Sequence, residues 1–125
     1  MKVVGLHHVN INVRDVAEAV EFYTSFGFEQ VPRPDFGSSG AWLQMGQHQL
    51  HLSTHKNLVV DRAQHFALAV EDLDSCTGEL DELGIDVIRI DPVEGAGRQA
   101  FFRDPSGNLI ELNQPAVRAS PQPSR

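Results

Sequence analysis

Two stretches of the chain share one pattern of apolar and polar positions, 57 residues apart. Residues 8–16 and 65–73 each begin with a histidine, alternate apolar and polar side chains, and then reach an aspartate, Asp15 or Asp72. Alternation with a period of two predicts a β-strand. An aspartate before an apolar stripe with helical spacing predicts the start of a helix, at Asp15 in the first copy and at Asp72 or Asp74 in the second. The sequence therefore contains two copies of one structural unit.

Each copy predicts the same order of elements. Gly27 and Gly84 follow the two helical stripes, as glycine does where helices end. Three further strands are expected after each helix, at about 29–32, 40–45 and 48–53 and at about 86–90, 99–103 and 108–113. The turns Gly46-Gln47 and Asp104-Pro105-Ser106-Gly107 join the last two strands of each copy. The predicted fold class is α+β, with two tandem βαβββ units and a concave mixed sheet.

Length and composition fit one compact domain. We expect a single domain over residues 1–114, with repeat units at about 4–54 and 62–114 and a flexible, proline-rich tail over 115–125. The formal net charge of −7 disfavours nucleic-acid binding, and no apolar run is long enough to span a membrane. A single cysteine, Cys76, and the absence of a signal-peptide pattern predict a cytoplasmic protein.

Four potential metal ligands occupy equivalent positions in the two repeats. Alternation places His8, Asn10 and His65 on the strand face opposite the one that packs against a helix. His51 and Glu111, each between two apolar neighbours, lie on that same helix-free face. On a concave sheet the three histidines and the carboxylate could converge. Such groups suit one Zn²⁺, Ni²⁺, Fe²⁺, Mn²⁺ or Co²⁺ ion.

With these residues in view, the chain resembles the vicinal oxygen chelate superfamily, which includes glyoxalase I, extradiol dioxygenases, fosfomycin-resistance transferases and bleomycin-binding proteins. The segments that carry the resemblance are Leu6-His7-His8-Val9 through Asp15-Val16, then Glu21-Phe22-Tyr23, residues 65–70, and Asp104-Pro105-Ser106-Gly107-Asn108-Leu109-Ile110-Glu111-Leu112. Residues 33–36, 40–43 and 50–52 are most similar to short glyoxalase-like members. The resemblance covers about residues 4 to 114.

The resemblance implies a metal at His8, His51, His65 and Glu111. It also implies a small substrate with two neighbouring oxygens, held by a metal that stabilises an enolate, and Glu111 as both ligand and base. The leading hypothesis is thus a lyase or isomerase of glyoxalase type. Glyoxalase I has a carboxylate where this chain has His51, so His51 is either a ligand or a histidine that orients one.

Three alternatives stay open at this point. His8, His65 and Glu111 also form the two-histidine, one-carboxylate set of Fe(II) oxygenases, although the tyrosine of extradiol dioxygenases is replaced by Phe101 or Phe102. A fosfomycin-type thiol transferase would need a cationic cradle for the phosphonate. A non-catalytic binding protein of the bleomycin-resistance kind would usually lack the metal ligands.

Other side chains receive roles from the same counting of faces. Asn10, Phe101 and Arg103 are candidates for substrate binding. Trp42 and Phe102 are expected to pack in the core, while Ala41 and Leu43 are expected to face the cavity with Phe101 and Arg103. His7, His48 and His55 have no predicted role, Asp104 is a turn former, and residues 33–40 form either a mobile cover over the site or a plain connection.

A homodimer is the expected assembly. Each repeat alone supplies half of the metal ligands, and short members of the resembling family commonly pair their halves across two chains. The connection over residues 54–64 is long enough for such an exchange. The sequence therefore predicts a twofold dimer whose metal sites are shared between subunits.

Overall fold

The computed structural model describes residues 1–116 of the 125. Within them the strand–helix–three-strand order occurs twice, which confirms the predicted α+β class. The first copy consists of β1 (His8–Val13), α1 (Val16–Thr24), β2 (Glu29–Val31), β3 (Gly40–Met45) and β4 (His48–Thr54). The second consists of β5 (His65–Ala69), α2 (Leu73–Glu82), β6 (Ile88–Arg89), β7 (Arg98–Arg103) and β8 (Leu109–Gln114). From residue 117 onward, the predicted tail lies outside the described residues.

Both helices begin at the predicted aspartates. The Glu18 amide donates to Asp15 Oδ1 at 2.9 Å, and the Ser75 amide donates to Asp72 Oδ1 at 3.1 Å. Each carboxylate satisfies an N–H group that has no partner within its helix. Asp72, rather than the neighbouring Asp74, is therefore the cap of α2.

The two sheets have the same strand order. One runs β1-β4-β3-β2 and the other β5-β8-β7-β6. In the first sheet β1 pairs with β4 in parallel, and β4, β3 and β2 pair antiparallel. Each sheet is therefore mixed, and the last strand of each repeat, which carries His51 or Glu111, lies between two neighbours. Neither helix is long and apolar enough to cross a membrane in the part of the chain described here.

The chain divides into two compact units that do not coincide with the repeats. Residues 1–66 form one unit together with the turn segment Arg103–Leu109, and the other contains Ala67–Phe102 and the described residues from Ile110 to 116. In the first unit, α1 contributes a fully buried Tyr23 to a core of Val13, Leu43, Leu50 and Leu52. In the second, Leu73 and Leu80 of α2 are buried, as are Ala100, Phe102, Ile110 and Leu112.

The turn segment is fastened to the first unit through Asp104. This buried carboxylate accepts from the amides of Ser106 and Asn108, so Asp104 is the turn former that the sequence predicts. Its second oxygen accepts from the Tyr23 hydroxyl at 2.8 Å. Asn108 Nδ2 donates to the Asn12 carbonyl, and Ser106 Oγ accepts from the Arg14 amide. A turn of the second repeat thus completes the polar interior of the first unit.

Candidate metal centre and its cleft

His8 and His51 lie together on the first sheet. His8 begins β1 and is exposed, whereas His51 lies in the middle of β4 and is 6% exposed. The parallel register sets His51 beside Asn10, two residues along β1 from His8. The two imidazole rings are stacked, with centroids 4.0 Å apart and an interplanar angle of 19°. These two predicted ligands are therefore neighbours in the structure.

The other face of His51 is covered by Trp42, so the predicted placement of Trp42 in the core is wrong. The indole lies 4.3 Å from the imidazole at an interplanar angle of 4°. Trp42 is the direct antiparallel partner of His51 across the two-residue Gly46-Gln47 turn. Direct partners point to the same side of a sheet. Trp42 and His51, although nine residues apart, therefore lie on the same face. Ala41 and Leu43, expected in the cavity, are buried in the core instead.

In the second repeat, residues an even number apart lie on the same face, because five residues, an odd number, separate β7 from β8. Phe102 is buried, as predicted, and Phe101 is half-buried. Gln99 of β7 donates from Nε2 to Glu111 Oε2 at 3.1 Å, so residues an even number apart share a face on this hairpin. Two residues separate β3 from β4 and five separate β7 from β8, and this odd difference reverses the face of Trp42 relative to Phe102.

The surroundings of His51 favour its neutral imidazole form. Its Nε2 lies 2.8 Å from Gln49 Oε1, a carbonyl oxygen that only accepts, so Nε2 carries the proton and Nδ1 the lone pair. Burial lowers the pKa of His51, and the nearby His8, His7 and Arg33 lower it further. His51, with its neutral form favoured and its ring stacked between Trp42 and His8, is a rigid support for His8.

The stacked rings do not fit joint coordination of one ion. An imidazole nitrogen directs its lone pair within the ring plane, so two imidazoles share an ion only where their planes meet close to both nitrogens. Planes separated by a stacking distance and inclined by 19° do not meet there. This stacking favours the second of the two roles open to His51, orienting His8, while its assignment as a metal ligand stays a prediction.

His65 is arranged as metal-binding histidines are in proteins. It begins β5, and its Nδ1 lies 2.9 Å from the Ala63 carbonyl oxygen. A carbonyl only accepts, so Nδ1 carries the proton and Nε2 bears the lone pair. The ring lines a pocket of about 200 Å³ together with Asn10, Leu58 and Asp61.

Glu111 is a buried carboxylate with one oxygen fixed by two amides. It is 6% exposed in the middle of β8. Its Oε2 accepts from Gln99 Nε2 at 3.1 Å and from Asn113 Nδ2 at 2.9 Å. Amide donors of this kind orient a carboxylate ligand without neutralising its charge, which is the support that metal sites require.

The predicted ligand set is not assembled in one place within residues 1–116. No group of three or more histidine, cysteine, aspartate or glutamate side chains is arranged there to hold a metal ion. His8 and Glu111 also belong to different compact units. The donor types, the tautomer of His65 and the amide-held Glu111 nevertheless fit a divalent metal chemically, with His8, His65 and Glu111 as its ligands.

The predicted substrate residues have unequal surroundings. Asn10 Oδ1 accepts from Ser53 Oγ at 3.0 Å and lies next to His51 in register, so it remains beside the histidines. Arg103 donates to the backbone carbonyls of Gly107 and Arg62 at 2.9 and 3.0 Å. Arg103 therefore ties together two connections of the first unit, a structural role that the sequence did not reveal.

A cleft beside His8 contains residues to which the sequence assigned no role. It has a volume of about 330 Å³, and its charged or aromatic lining consists of His7, His8, Arg33, Phe36, Trp42 and His51. His7 Nδ1 lies 2.8 Å from His8 Nδ1, so one ring donates to the other. We name this site the His8–Arg33 cleft. The expected mobile cover at residues 33–40 supplies Arg33 and Phe36 as walls of the cleft.

Known proteins share both the sequence and the fold of this chain. A family model described as Glyoxalase/Bleomycin resistance protein/Dioxygenase superfamily matches residues 5–112. The chain is 31% identical over 120 residues to Glyoxylase I 4 of Arabidopsis thaliana, covering 86% of this chain and 69% of that protein. It is 31% identical over 119 residues to the metallothiol transferase FosB of Shouchella clausii (strain KSM-K16), covering 87% and 79%. The crystal structure of a glyoxalase family protein from Bacillus anthracis superposes with a TM-score of 0.85 at 27% identity, covering 93% and 98%.

Proposed function

The chain belongs to the glyoxalase/bleomycin resistance protein/dioxygenase superfamily, and on that premise we propose that it is a divalent-metal-dependent enzyme of glyoxalase-like type. Its substrate is a small molecule with two neighbouring oxygens. The reaction is a lyase or isomerase step that moves a proton on the carbon next to a carbonyl. His8, His65 and Glu111 hold the metal, and His51 orients His8.

The observation that carries this proposal is the pair of amides on Glu111. A buried carboxylate needs hydrogen-bond partners, and Gln99 and Asn113 provide them at a single oxygen. Both donors are side-chain amides, and they orient the carboxylate in the way that metal-binding carboxylates are held.

Each residue of the site has a separate task. A divalent ion, when bound, supplies Lewis-acid stabilisation of the negative charge that develops on the substrate oxygens. His65 presents Nε2 because its Nδ1 proton is given to the Ala63 carbonyl. Glu111 accepts the proton from the substrate carbon and returns it, while its amide-held Oε2 keeps the carboxylate oriented. Burial of Glu111 excludes the water that would compete for that proton.

The experiment joins metal content with proton transfer. Anaerobically purified protein is analysed for metal and then assayed on the adduct of methylglyoxal with a small thiol in deuterated water. We expect one divalent ion per site and deuterium in the product at the carbon next to the carbonyl. Glu111→Gln and His65→Ala should lose the metal, whereas His48→Ala, at the exposed start of β4, should keep it. Full metal occupancy in Glu111→Gln would overturn the ligand assignment.

A second activity of the same site, thiol transfer, is favoured by the FosB relative and by the Arg33 cation in the His8–Arg33 cleft. In that reaction a thiolate attacks an epoxide carbon of fosfomycin, the carbon–oxygen bond breaks, and the ring oxygen takes up a proton. The two activities separate in one measurement. A thiol adduct of fosfomycin identifies the transferase, and deuterium uptake from methylglyoxal identifies the isomerase.

The proposed assembly is a homodimer with shared sites. The support for it is the repeat itself: β1 of the first repeat carries His8, whereas β5 and β8 of the second carry His65 and Glu111. A twofold axis gives each subunit's Glu111 access to the other's His8 and so completes two equivalent sites.

A further inference from the structure

Arg33 is a fixed cation in the wall of the His8–Arg33 cleft. Its Nη1 donates to the Ser38 carbonyl at 3.0 Å and its Nη2 approaches Ser38 Oγ at 3.4 Å. Its Cζ lies 4.9 Å from the centroid of the Phe36 ring. These contacts hold a side chain that is otherwise among the most mobile in proteins. The guanidinium is thus positioned before any ligand arrives.

The strand beneath Arg33 is shaped to admit it. Gly40 is the first residue of β3, and a Cβ atom there would lie 2.8 Å from Arg33 Cζ and Nε. Only the absence of a side chain at this position lets the guanidinium lie against the sheet. The same Cβ would meet the Leu52 carbonyl oxygen at 2.7 Å. Gly40, Phe36 and Ser38 together form a cradle for one arginine.

Within residues 1–116 no carboxylate forms an ion pair with Arg33. A guanidinium has five N–H donors, and within residues 1–116 Arg33 uses two of them, both on Ser38. The neighbouring Asp35 carboxylate accepts from the Gly37 amide instead. Among the described residues that line the cleft, none is acidic. A chain with a net charge of −7 therefore has a local site that favours anions.

We propose that the His8–Arg33 cleft selects a substrate with an anionic carboxylate or phosphonate group on a short apolar body. The anion pairs with Arg33 through its planar fork, and the apolar body contacts Phe36 and Trp42. This assignment rests on the proposed function, because His8 in the cleft is there a metal ligand. In this assignment the guanidinium of Arg33 binds the anionic group, and the metal binds the two reacting oxygens.

Trp42 makes the proposal measurable without turnover. It is the single tryptophan of the chain and lines the cleft, so its fluorescence reports occupancy directly. The full-length protein is titrated with phenylacetate and phenylphosphonate, and with neutral phenylacetamide as the matched ligand. Each titration is run with the purified protein and again after dialysis against a chelator. We expect both acids to give saturable changes with and without metal, and the amide to bind at least tenfold more weakly.

Variants of arginine complete the test. Arg33→Gln should weaken both acids about tenfold or more, because it removes a charge-assisted contact. Arg33→Lys keeps the charge but not the planar fork, so its affinity for the acids should lie between those of wild type and Arg33→Gln. Arg89→Gln, on β6 with its ion pair to Asp81, is the charge-matched control and should bind as wild type. Circular dichroism verifies that each variant is folded.

The contrary outcomes are distinct. Equal binding of phenylacetamide would make the cleft merely apolar, and unchanged affinity in Arg33→Gln would place the anion elsewhere. Binding that disappears after chelation would assign the anion to the metal. Each of these overturns the role of Arg33 while leaving the metal proposal intact. None of these three outcomes predicts a loss of metal from the protein, so failure of this inference and failure of the proposed function are distinguishable.

Discussion

The indole of Trp42 lies parallel to the imidazole of His51 at 4.3 Å, and His51 in turn stacks on His8 at 4.0 Å. Three rings from three neighbouring strands thus form one column. One end is held by the sheet, since Trp42 and His51 are direct antiparallel partners. The exposed end, His8, is the proposed metal ligand, so the column transmits the rigidity of the sheet to a residue at its rim.

Shortening this column should weaken metal binding. Trp42→Leu removes the support behind His51, and we expect the affinity for Mn²⁺ to fall about tenfold, the lower range for residues that hold a ligand in place. Trp42→Phe keeps an aromatic ring, so its affinity for Mn²⁺ should fall less. Calorimetric titration with Mn²⁺ measures both. If Trp42→Leu binds as wild type, the column does not position His8.

The sole tyrosine should resist ionisation in the folded protein. Burial raises the pKa of Tyr23, and the negative charge and hydrogen bond of Asp104 raise it further. A raised pKa in the folded state gives stability that is present below the unfolded value of about 10 and is lost as the pH rises above it. The free energy of unfolding should therefore decline in alkali above about pH 10.

Absorbance of the phenolate checks this prediction without interference from another tyrosine. In native buffer it should appear only when the protein unfolds, whereas in urea it should follow a midpoint near pH 10. Tyr23→Phe should be less stable at neutral pH, by about 1–2 kcal/mol for a lost partner of a buried carboxylate. A native protein that titrates near pH 10 while still folded would show that Tyr23 is not enclosed.

Two glycines should respond to alanine with opposite signs. Gly40→Ala places a Cβ 2.7 Å from the Leu52 carbonyl oxygen and 2.8 Å from Arg33, which should destabilise the fold by about 1–3 kcal/mol. Gly78 lies inside α2 with nothing within 4 Å of an added Cβ. Gly78→Ala should therefore stabilise by about 0.5–1 kcal/mol.

Urea unfolding of both variants supplies the comparison, provided that the dependence on denaturant is unchanged. Gly40→Ala should also weaken phenylacetate binding, because the added methyl group would displace the Arg33 guanidinium. A stabilised Gly40→Ala protein would mean that the cradle relaxes easily and that Arg33 is not fixed by it.

Shared metal sites can be tested by mixing two inactive chains. His8→Ala and Glu111→Ala each remove a ligand from every site of their own homodimers. In a mixed dimer with shared sites, one site receives both substitutions and the other receives none. We therefore expect about one intact site per heterodimer, measured by elemental analysis after separation on two affinity tags. A stable heterodimer without metal would mean that each chain builds its own site.

The local pattern of the sequence predicted the elements well because it depends on neighbours along the chain. The caps at Asp15 and Asp72 and the repeated strand order follow from residues a few positions apart. The face of Trp42 could not be obtained by the same counting, since it depends on the turn between β3 and β4. A turn of two residues pairs residues that are nine apart, whereas a turn with an odd number of residues does not.

The cleft was the least predictable part. Arg33 acquires its role from Ser38, Phe36 and Gly40, through side-chain geometry that no periodicity describes. Likewise the link between Tyr23 and Asp104 joins residues 81 positions apart. The chemical identity of His8, His65 and Glu111 as donors was visible in the sequence, whereas their joint coordination of an ion stays a prediction.

The Tyr23–Asp104 hydrogen bond also sets a limit on the symmetry of the molecule. The residue of the second repeat that corresponds to Tyr23 is Leu80, and the short turn of the first repeat has no aspartate. An artificial protein made of two identical first halves would enclose a phenol with no acceptor, and one made of two second halves would enclose an aspartate with no phenol. The two halves are therefore complementary, and a duplication of either one alone would not reproduce the interior of this protein.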